Sequence, residues 1–264
     1  MSTYTESRCQ RGKPQYVVDA LMTAPQFADV DSMELQELLS LFCIQSWPQN
    51  TTVVTPVTNQ FYIIVAGRVK LTRCHPETGH ELTLFLFGPG DFFDIGRLLN
   101  DHQDETIAVA VDDVEILSAP IATMRHWLDE HPKWQRQFVR YLGTQMSHLA
   151  DLATDLSLYD TKTRLVKLLL RHVHTDSCQP RLIDNLRHEE LASLIGSVRA
   201  VVNRHLQELK QQGSLQSRRS QLMVRDVRAL EANLNGTMTK TTTTRLCAGK
   251  RTPRRGSRTS WTGQ

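Results

Sequence analysis

The sequence predicts an α+β chain: an N-terminal antiparallel β-roll of jelly-roll type, a long dimerisation helix, and a C-terminal helix-turn-helix carrying a two-stranded wing. Three observations predict it. Short alternating apolar runs broken by glycine turns occupy residues 60–118. Between Trp134 and Leu156, the residues Phe138, Leu142, Leu149, Leu152 and Leu156 recur at 4, 7, 3 and 4, close to the seam of a coiled coil. Two short helical patterns then meet at Gly196 and are followed by two strand patterns flanking Arg218 and Arg219.

Composition bounds the rest. A chain of 264 residues can hold two separately cored domains. Its formal charge of +3 hides an asymmetry. Residues 237–264 contain seven Lys or Arg and no Asp or Glu, leaving 24 positive against 28 negative side chains, about −4, on residues 1–236. Any anion-binding surface on the body must therefore be local. No apolar run approaches about eighteen residues and none follows a basic start, so neither a membrane span nor a secretory signal is expected. The five cysteines are scattered, odd in number and never at C-x-x-C spacing, which fits a reducing cytoplasm.

In chain order, residues 1–26 read as a poorly ordered leader. Met33, Leu35, Leu38, Leu39 and Phe42 predict a short amphipathic helix opened by Asp31 or Ser32. Gln60–Arg73 reads as two strands divided at Gly67, Glu81–Phe87 as a strand running into the turn Gly88–Asp91, and Thr106–Ser118 as further strand. The long helix needs a partner for its seam, and a second copy of the same helix is the economical one. Thr161–His174, with Leu165, Leu168 and Leu169, predicts the next helix. From residue 235 onward the chain is almost devoid of apolar residues and reads as a disordered basic tail.

The helix-turn-helix carries the functional reading. Leu191, Leu194 and Ile195 form the apolar side of the first helix, with Ala192 at a close crossing. On the second, Val202, Leu206 and Leu209 share one face, while Arg199, Asn203, Arg204 and Gln207 lie opposite. A helix buried on one side and lined with Arg and Asn on the other suits a DNA major groove, where an Arg fork meets two guanine acceptors and Asn pairs with adenine. Arg218 and Arg219, at the tip of the wing, could clamp phosphates beside that groove.

These residues resemble the DNA-binding domain of the CRP/FNR family of bacterial transcription regulators. The family pattern is an acidic residue, an apolar one, Ala or Gly, then G-x-S/T-R-x-x-V-x-R; Glu190, Leu191, Ala192, Gly196, Arg199, Val202 and Arg204 match it. Tyr62–Leu71 and Gly88–Phe93 are similar to the Y-x-I-x-x-G-x-V-x-L strand pair and the x-P-G-D-x-F turn of the same family's cyclic-nucleotide-binding roll. The resemblance implies a sensory roll over residues 27–130, a dimerisation helix over 131–159, a winged helix-turn-helix over 160–234 and a tail over 235–264. It implies a cytoplasmic homodimer on an inverted repeat of double-stranded DNA, with RNA polymerase as a further partner and no membrane. Arg199 corresponds to the guanine-pairing arginine and Arg204 to a second arginine at the DNA surface. Ala200 stands where members that bind the best-known half-site carry Glu, so base choice there should be altered or relaxed. Val201 replaces a frequent Thr, and Ser197 is the expected cap of the helix.

The resemblance also frames the ligand. Members that bind cyclic AMP carry G-E-L/A and an Arg-Ser/Thr pair around the cyclic phosphate. Here the corresponding stretches are Phe92-Phe93-Asp94-Ile95-Gly96 and Asp104-Glu105-Thr106. The carboxylates of Asp94, Asp104 and Glu105 would repel an anion, which argues against cyclic AMP. Phe92, Asp94, Ile95, Gly96 and Thr106 are the ligand-site candidates. The iron-sulfur branch needs four cysteines, three clustered near the N-terminus, whereas only Cys9 and Cys43 precede residue 70. Haem stays a candidate through Cys74, His75 and His80, since thiolate and imidazole both ligate it; a small metabolite or no ligand are the alternatives. The competing function, a roll-based enzyme or small-molecule binding protein, finds no G-x-S-x-G, phosphate loop or H-x-x-x-H pair. A third reading, non-specific DNA binding through the basic tail alone, would be lost on deleting residues 237–264.

Overall fold

The computed structural model describes residues 13–54, 59–99, 106–173, 182–218 and 221–235. The expected tail, Arg219, Asp104 and Glu105 fall outside these residues, apart from the helical end of the tail at Asn235. The N-terminal unit opens with helix α1 (Gln15–Met22), a 3-10 turn (Pro25–Phe27) and α2 (Ser32–Ser40). The strands are β1 (Cys43–Trp47), β2 (Thr52–Val54), β3 (Gln60–Ala66), β4 (Val69–Cys74), β5 (Glu81–Phe87), β6 (Phe92–Phe93), β7 (Ile107–Ala110) and β8 (Val114–Pro120), with helix α3 (Ile95–Leu99) between β6 and β7. Two four-stranded antiparallel sheets, ordered β1-β8-β3-β6 and β2-β7-β4-β5, face one another as the predicted roll.

Two cores follow from strand alternation. Inside the roll lie Trp47, Tyr62, Ile64, Val69, Phe87, Phe93 and Ile116. On the outer face of the first sheet, Phe61, Ile63, Phe92 and Leu117 pack against helices. Those helices include α1, which corrects the leader: Val17, Val18 and Leu21 are buried on one face of a genuine helix. An eight-residue segment carries too few periods to stand out from a disordered start, yet three apolar residues suffice to dock it. Gly90 fixes the turn into β6, because with φ +86° its Cβ would fall 2.2 Å from Ala24 Cβ of the same helical layer.

Helix α4 (Ile121–Glu130) leads into α5 (Pro132–Leu158), the predicted long helix. Its expected seam is displaced. Phe138 is fully buried against the roll, stacked on Phe92 with centroids 5.0 Å apart, and Trp134 and Tyr141 join it there. The apolar residues that α5 leaves open are instead Val139 (59% exposed), Met146 (64%) and Leu149 (38%), spaced 7 and 3 apart with the small residues Gly143, Ala150 and Ala153 beside them. At its end, the buried Asp155 accepts from Lys167 and, at 2.7 Å, from Arg171 of α6 (Thr161–His172). Asp160 caps α6 by accepting from the Thr163 N–H at 2.7 Å.

The C-terminal unit continues with α7 (His188–Leu194), α8 (Arg199–Gln211), the ribbon β9 (Leu215–Arg218) and β10 (Gln221–Val224), and α9 (Val227–Asn235). Sequence patterning missed α9, although Asp226 caps it and Leu230 is fully buried. Among the described residues, no helix is long and apolar enough to cross a membrane. Cys43 is disulfide-bonded and Cys74 is a free, exposed thiol, so the uniformly reduced cysteines that a reducing compartment implies are not found at Cys43.

Candidate nucleic-acid interface

Helix α7 starts with a capping box: the Arg187 N–H donates to Glu190 Oε2 at 2.8 Å, and the Arg187 guanidinium reaches Oε1 at 2.9 Å. Glu190 is thereby buried, and its neighbour Glu189 points outward. After Leu194 the chain reverses, with the Ser197 N–H donating to Ala192 O at 2.9 Å and Gly196 at φ +59°. A Cβ on Gly196 would lie 2.5 Å from Leu156 Cδ2 of the long helix, and Arg164 of α6 donates to Ile195 O at 2.7 Å. The turn is thus wedged against both helices that precede it.

Helix α8 begins at Arg199 with Val198 as its N-cap residue, which corrects the assignment to Ser197. The Ser197 N–H is spent closing the turn, and no side chain caps α8; the Val198 carbonyl accepts the first helical N–H groups. Val202, Leu206 and Leu209 are fully buried, while Arg199, Ala200, Asn203, Arg204 and Gln207 are exposed. One helix therefore offers an unbroken row of hydrogen-bonding side chains on a rigid base. His205, absent from the predicted face, is turned inward and lies 3.3 Å from Glu208. Arg199 Nη1 lies 2.9 Å from Glu189 Oε1, a partner that sequence reading missed because it fixed on Glu190. Arg218 ends strand β9 of the wing.

The DNA-reading unit is not suspended freely. It rests on the roll's β4–β5 ribbon. Thr83 and Ser193 share a buried hydroxyl hydrogen bond of 2.8 Å. Arg68 pairs bidentately with Asp112 at 2.6 and 2.8 Å, and its Nη1 donates to the carbonyls of Leu182 (2.9 Å) and Asp184 (2.6 Å) ahead of α7. Val111 of the roll is buried in the same cluster as Val202 and Leu206, with Leu86 packed against it.

The predicted ligand residues divide by strand alternation. Phe92 faces the helical layer and Phe93 the roll interior, stacked on Tyr62 at 4.5 Å, so the inward aromatic is Phe93 and not Phe92. Ile95 joins Phe92 in the helical core, Gly96 is exposed and Thr106 is buried ahead of β7. Asp94 is the chemically active member. It takes φ +65°, its side chain is 6% exposed, Oδ2 has no hydrogen-bond partner, and Arg97 Nη1 stands 3.7 Å away. Burial, partly offset by Arg97, pushes its carboxyl up to about 6. An acid whose folded value lies above its unfolded one loses stability as pH rises between the two, and carries a constant penalty above both. Asp94→Asn, which also suits the left-handed backbone, is expected to raise unfolding free energy by about 1–3 kcal/mol at pH 8 and by almost nothing near pH 4. Urea unfolding at the two pH values checks this; an equal gain at both would refute the buried charge as the cause.

Cys74, His75 and His80 lie at the exposed tip of the β4–β5 ribbon, where every residue from 73 to 80 is exposed. His75 Nδ1 faces the N–H groups of Glu77 and Thr78, at 3.3 Å each, and the His75 N–H donates to His80 O at 2.8 Å. This is a self-closed turn with no apolar wall for a macrocycle, so these three residues do not fit haem. Among the described residues, no group of three or more His, Cys, Asp or Glu could hold a metal ion.

Residues 163–233 match the model of the Crp-like helix-turn-helix domain, and residues 45–131 that of the cyclic nucleotide-binding domain. Among curated proteins, the global nitrogen regulator of Synechococcus elongatus is 30% identical over 176 residues, covering 64% of this chain and 79% of that protein. The cyclic AMP receptor protein of Thermus thermophilus is 28% identical over 210 residues, covering 79% and 95%. Among solved structures, a CooA variant from Carboxydothermus hydrogenoformans superposes with a TM-score of 0.62 at 23% identity, over 75% of this chain and 90% of that one.

Proposed function

Because the chain belongs to the CRP/FNR family of transcription regulators, whose members matched here are not enzymes, we propose that it is a homodimeric, effector-responsive regulator that reads an inverted repeat through α8. The observation that carries this is the exposed row Arg199, Ala200, Asn203, Arg204 and Gln207 backed by the buried Val202, Leu206 and Leu209. Arg199 and Asn203 supply the side chains for guanine and adenine edges, Ala200 allows at most a thymine methyl contact, and Arg204 and Gln207 extend the same face. Ser197, just before α8, and the wing residues Arg218 and Arg219 are assigned to phosphates. The open stripe Val139, Met146 and Leu149 supports pairing of two α5 helices, which would set two recognition helices about one DNA turn apart. RNA polymerase is the further partner this reading implies.

For the effector, the buried carboxylate of Asp94 at the start of α3 disfavours an anionic cyclic phosphate. A neutral or cationic metabolite contacting the Asp94, Ile95, Gly96 and Thr106 region suits it better. Such a ligand acts only through its different affinity for two arrangements of the roll and the recognition helices. Replacing Arg199 by Ala tests the DNA assignment. Loss of a bidentate guanine contact is expected to weaken binding to a selected inverted repeat by about 1–3 kcal/mol, roughly 5- to 150-fold. A change within about threefold in a fluorescence-anisotropy titration would mean that α8 does not read bases through this residue.

A further inference from the structure

Glu189 and Glu190 are adjacent in sequence, yet their carboxylates serve different structures. Glu190 turns inward and closes the cap of α7. Glu189 turns outward across the helix-turn-helix, and its Oε1 meets Nη1 of Arg199 at 2.9 Å, with the two side chains 53% and 69% exposed. A solvent-exposed ion pair of this kind contributes little to stability, so stability alone does not account for it. Its location is more informative. Arg199 is the first residue of α8, the end where the helix dipole disfavours a cation. A carboxylate placed from the neighbouring helix offsets that cost and limits the orientations open to a long, flexible side chain. The Glu189 backbone N–H, then Arg199, hold its carboxyl below the ordinary value, so it stays ionised at neutral pH.

We propose that Glu189 is a positioning residue for base reading: it buttresses Arg199 so that the guanidinium is presented to guanine in one orientation. The proposal rests on the reading of Arg199 as a base-contacting residue. A guanidinium has five N–H donors in a rigid fork, and a bidentate guanine contact uses two of them. Engagement of Nη1 by a carboxylate is therefore compatible with simultaneous guanine recognition, and the pair can enter the groove intact. The carboxylate has a second effect of opposite sign. It faces the phosphate backbone and is repelled by it, which lowers affinity for every sequence. Glu189 thus trades general affinity for discrimination.

The test uses the full-length protein with a site selected from randomised duplex DNA, and a set of variants of that site substituted at each base pair. Arg199→Ala first identifies the base pair at which preference is lost. At that base pair, Glu189→Ala is expected to reduce discrimination between guanine and the other bases by about 3- to 10-fold, while affinity for unrelated duplex stays level or rises. Glu189→Gln, which keeps an acceptor oxygen without the charge, should fall between. A merely structural role would lower binding to all sequences together and shift the unfolding midpoint, which is measured alongside. If Glu189→Ala raises affinity for selected and unrelated DNA in parallel with the ratio preserved, Glu189 competes with DNA for Arg199 and the proposal is overturned. If Arg199→Ala alters no base preference, the reading of Arg199 falls, and the buttress with it.

Discussion

Met146→Glu together with Leu149→Glu is expected to leave the protein folded but monomeric, and to lower its affinity for a two-half-site duplex by about 100-fold or more, since the second half-site is no longer bound intramolecularly. Both side chains are exposed in the protomer, so the substitutions remove no internal contact. They do place two carboxylates on the single open apolar stripe of α5, alongside Val139, where a facing copy would bring two more. Sedimentation velocity should show the halved mass, and affinity for an isolated half-site should stay near its original value. A double variant that still sediments as a dimer would place the subunit contact elsewhere. The register matters here. Substituting Phe138 would report on the roll and say nothing of the dimer.

Phe138→Ala is expected to cost about 3–5 kcal/mol of unfolding free energy, the range for removing a fully buried aromatic ring. The ring stacks on Phe92 nearly parallel and lies 5.5 Å from Phe61 and 6.4 Å from Trp134. Three elements lose a shared partner at once, and backbone-anchored strands leave little room to collapse into the space. Denaturant unfolding measures it directly; a loss below about 1.5 kcal/mol would mean that the aromatic layer repacks around the vacancy.

The two expectations come from the same helix, and they explain how far the sequence could be read. The existence of α5 is plain from its length and leucine spacing. Which stripe faces what is not, because its first half is apolar on more than one side: Phe138 and Val139 are neighbours with opposite destinations, one into the roll and one outward. Periodicity reports that a face is apolar and is silent on whether the chain itself covers it. The helix-turn-helix was more legible, since a glycine at positive φ, a buried triplet and a polar row each constrain the others. Finer assignments failed where two adjacent residues could exchange roles. Ser197 has the better capping side chain, but its N–H is needed for the turn. Glu190 fits the family pattern, but Glu189 meets the arginine. Phe92 and Phe93 alternate across a strand of two residues, too short for any pattern to give the parity.

The contacts of Arg68 with the carbonyls of Leu182 and Asp184, and of Thr83 with Ser193, have a bearing on inheritance as well as on mechanics. The residues that present the recognition helix are encoded in two places more than a hundred codons apart. A lineage can therefore retune how this regulator addresses its operators by substitutions in the β4–β5 ribbon, leaving both the base-reading row and the effector region untouched. Variation at residues 68 and 83 belongs to the DNA-binding phenotype, although neither residue approaches DNA along the chain.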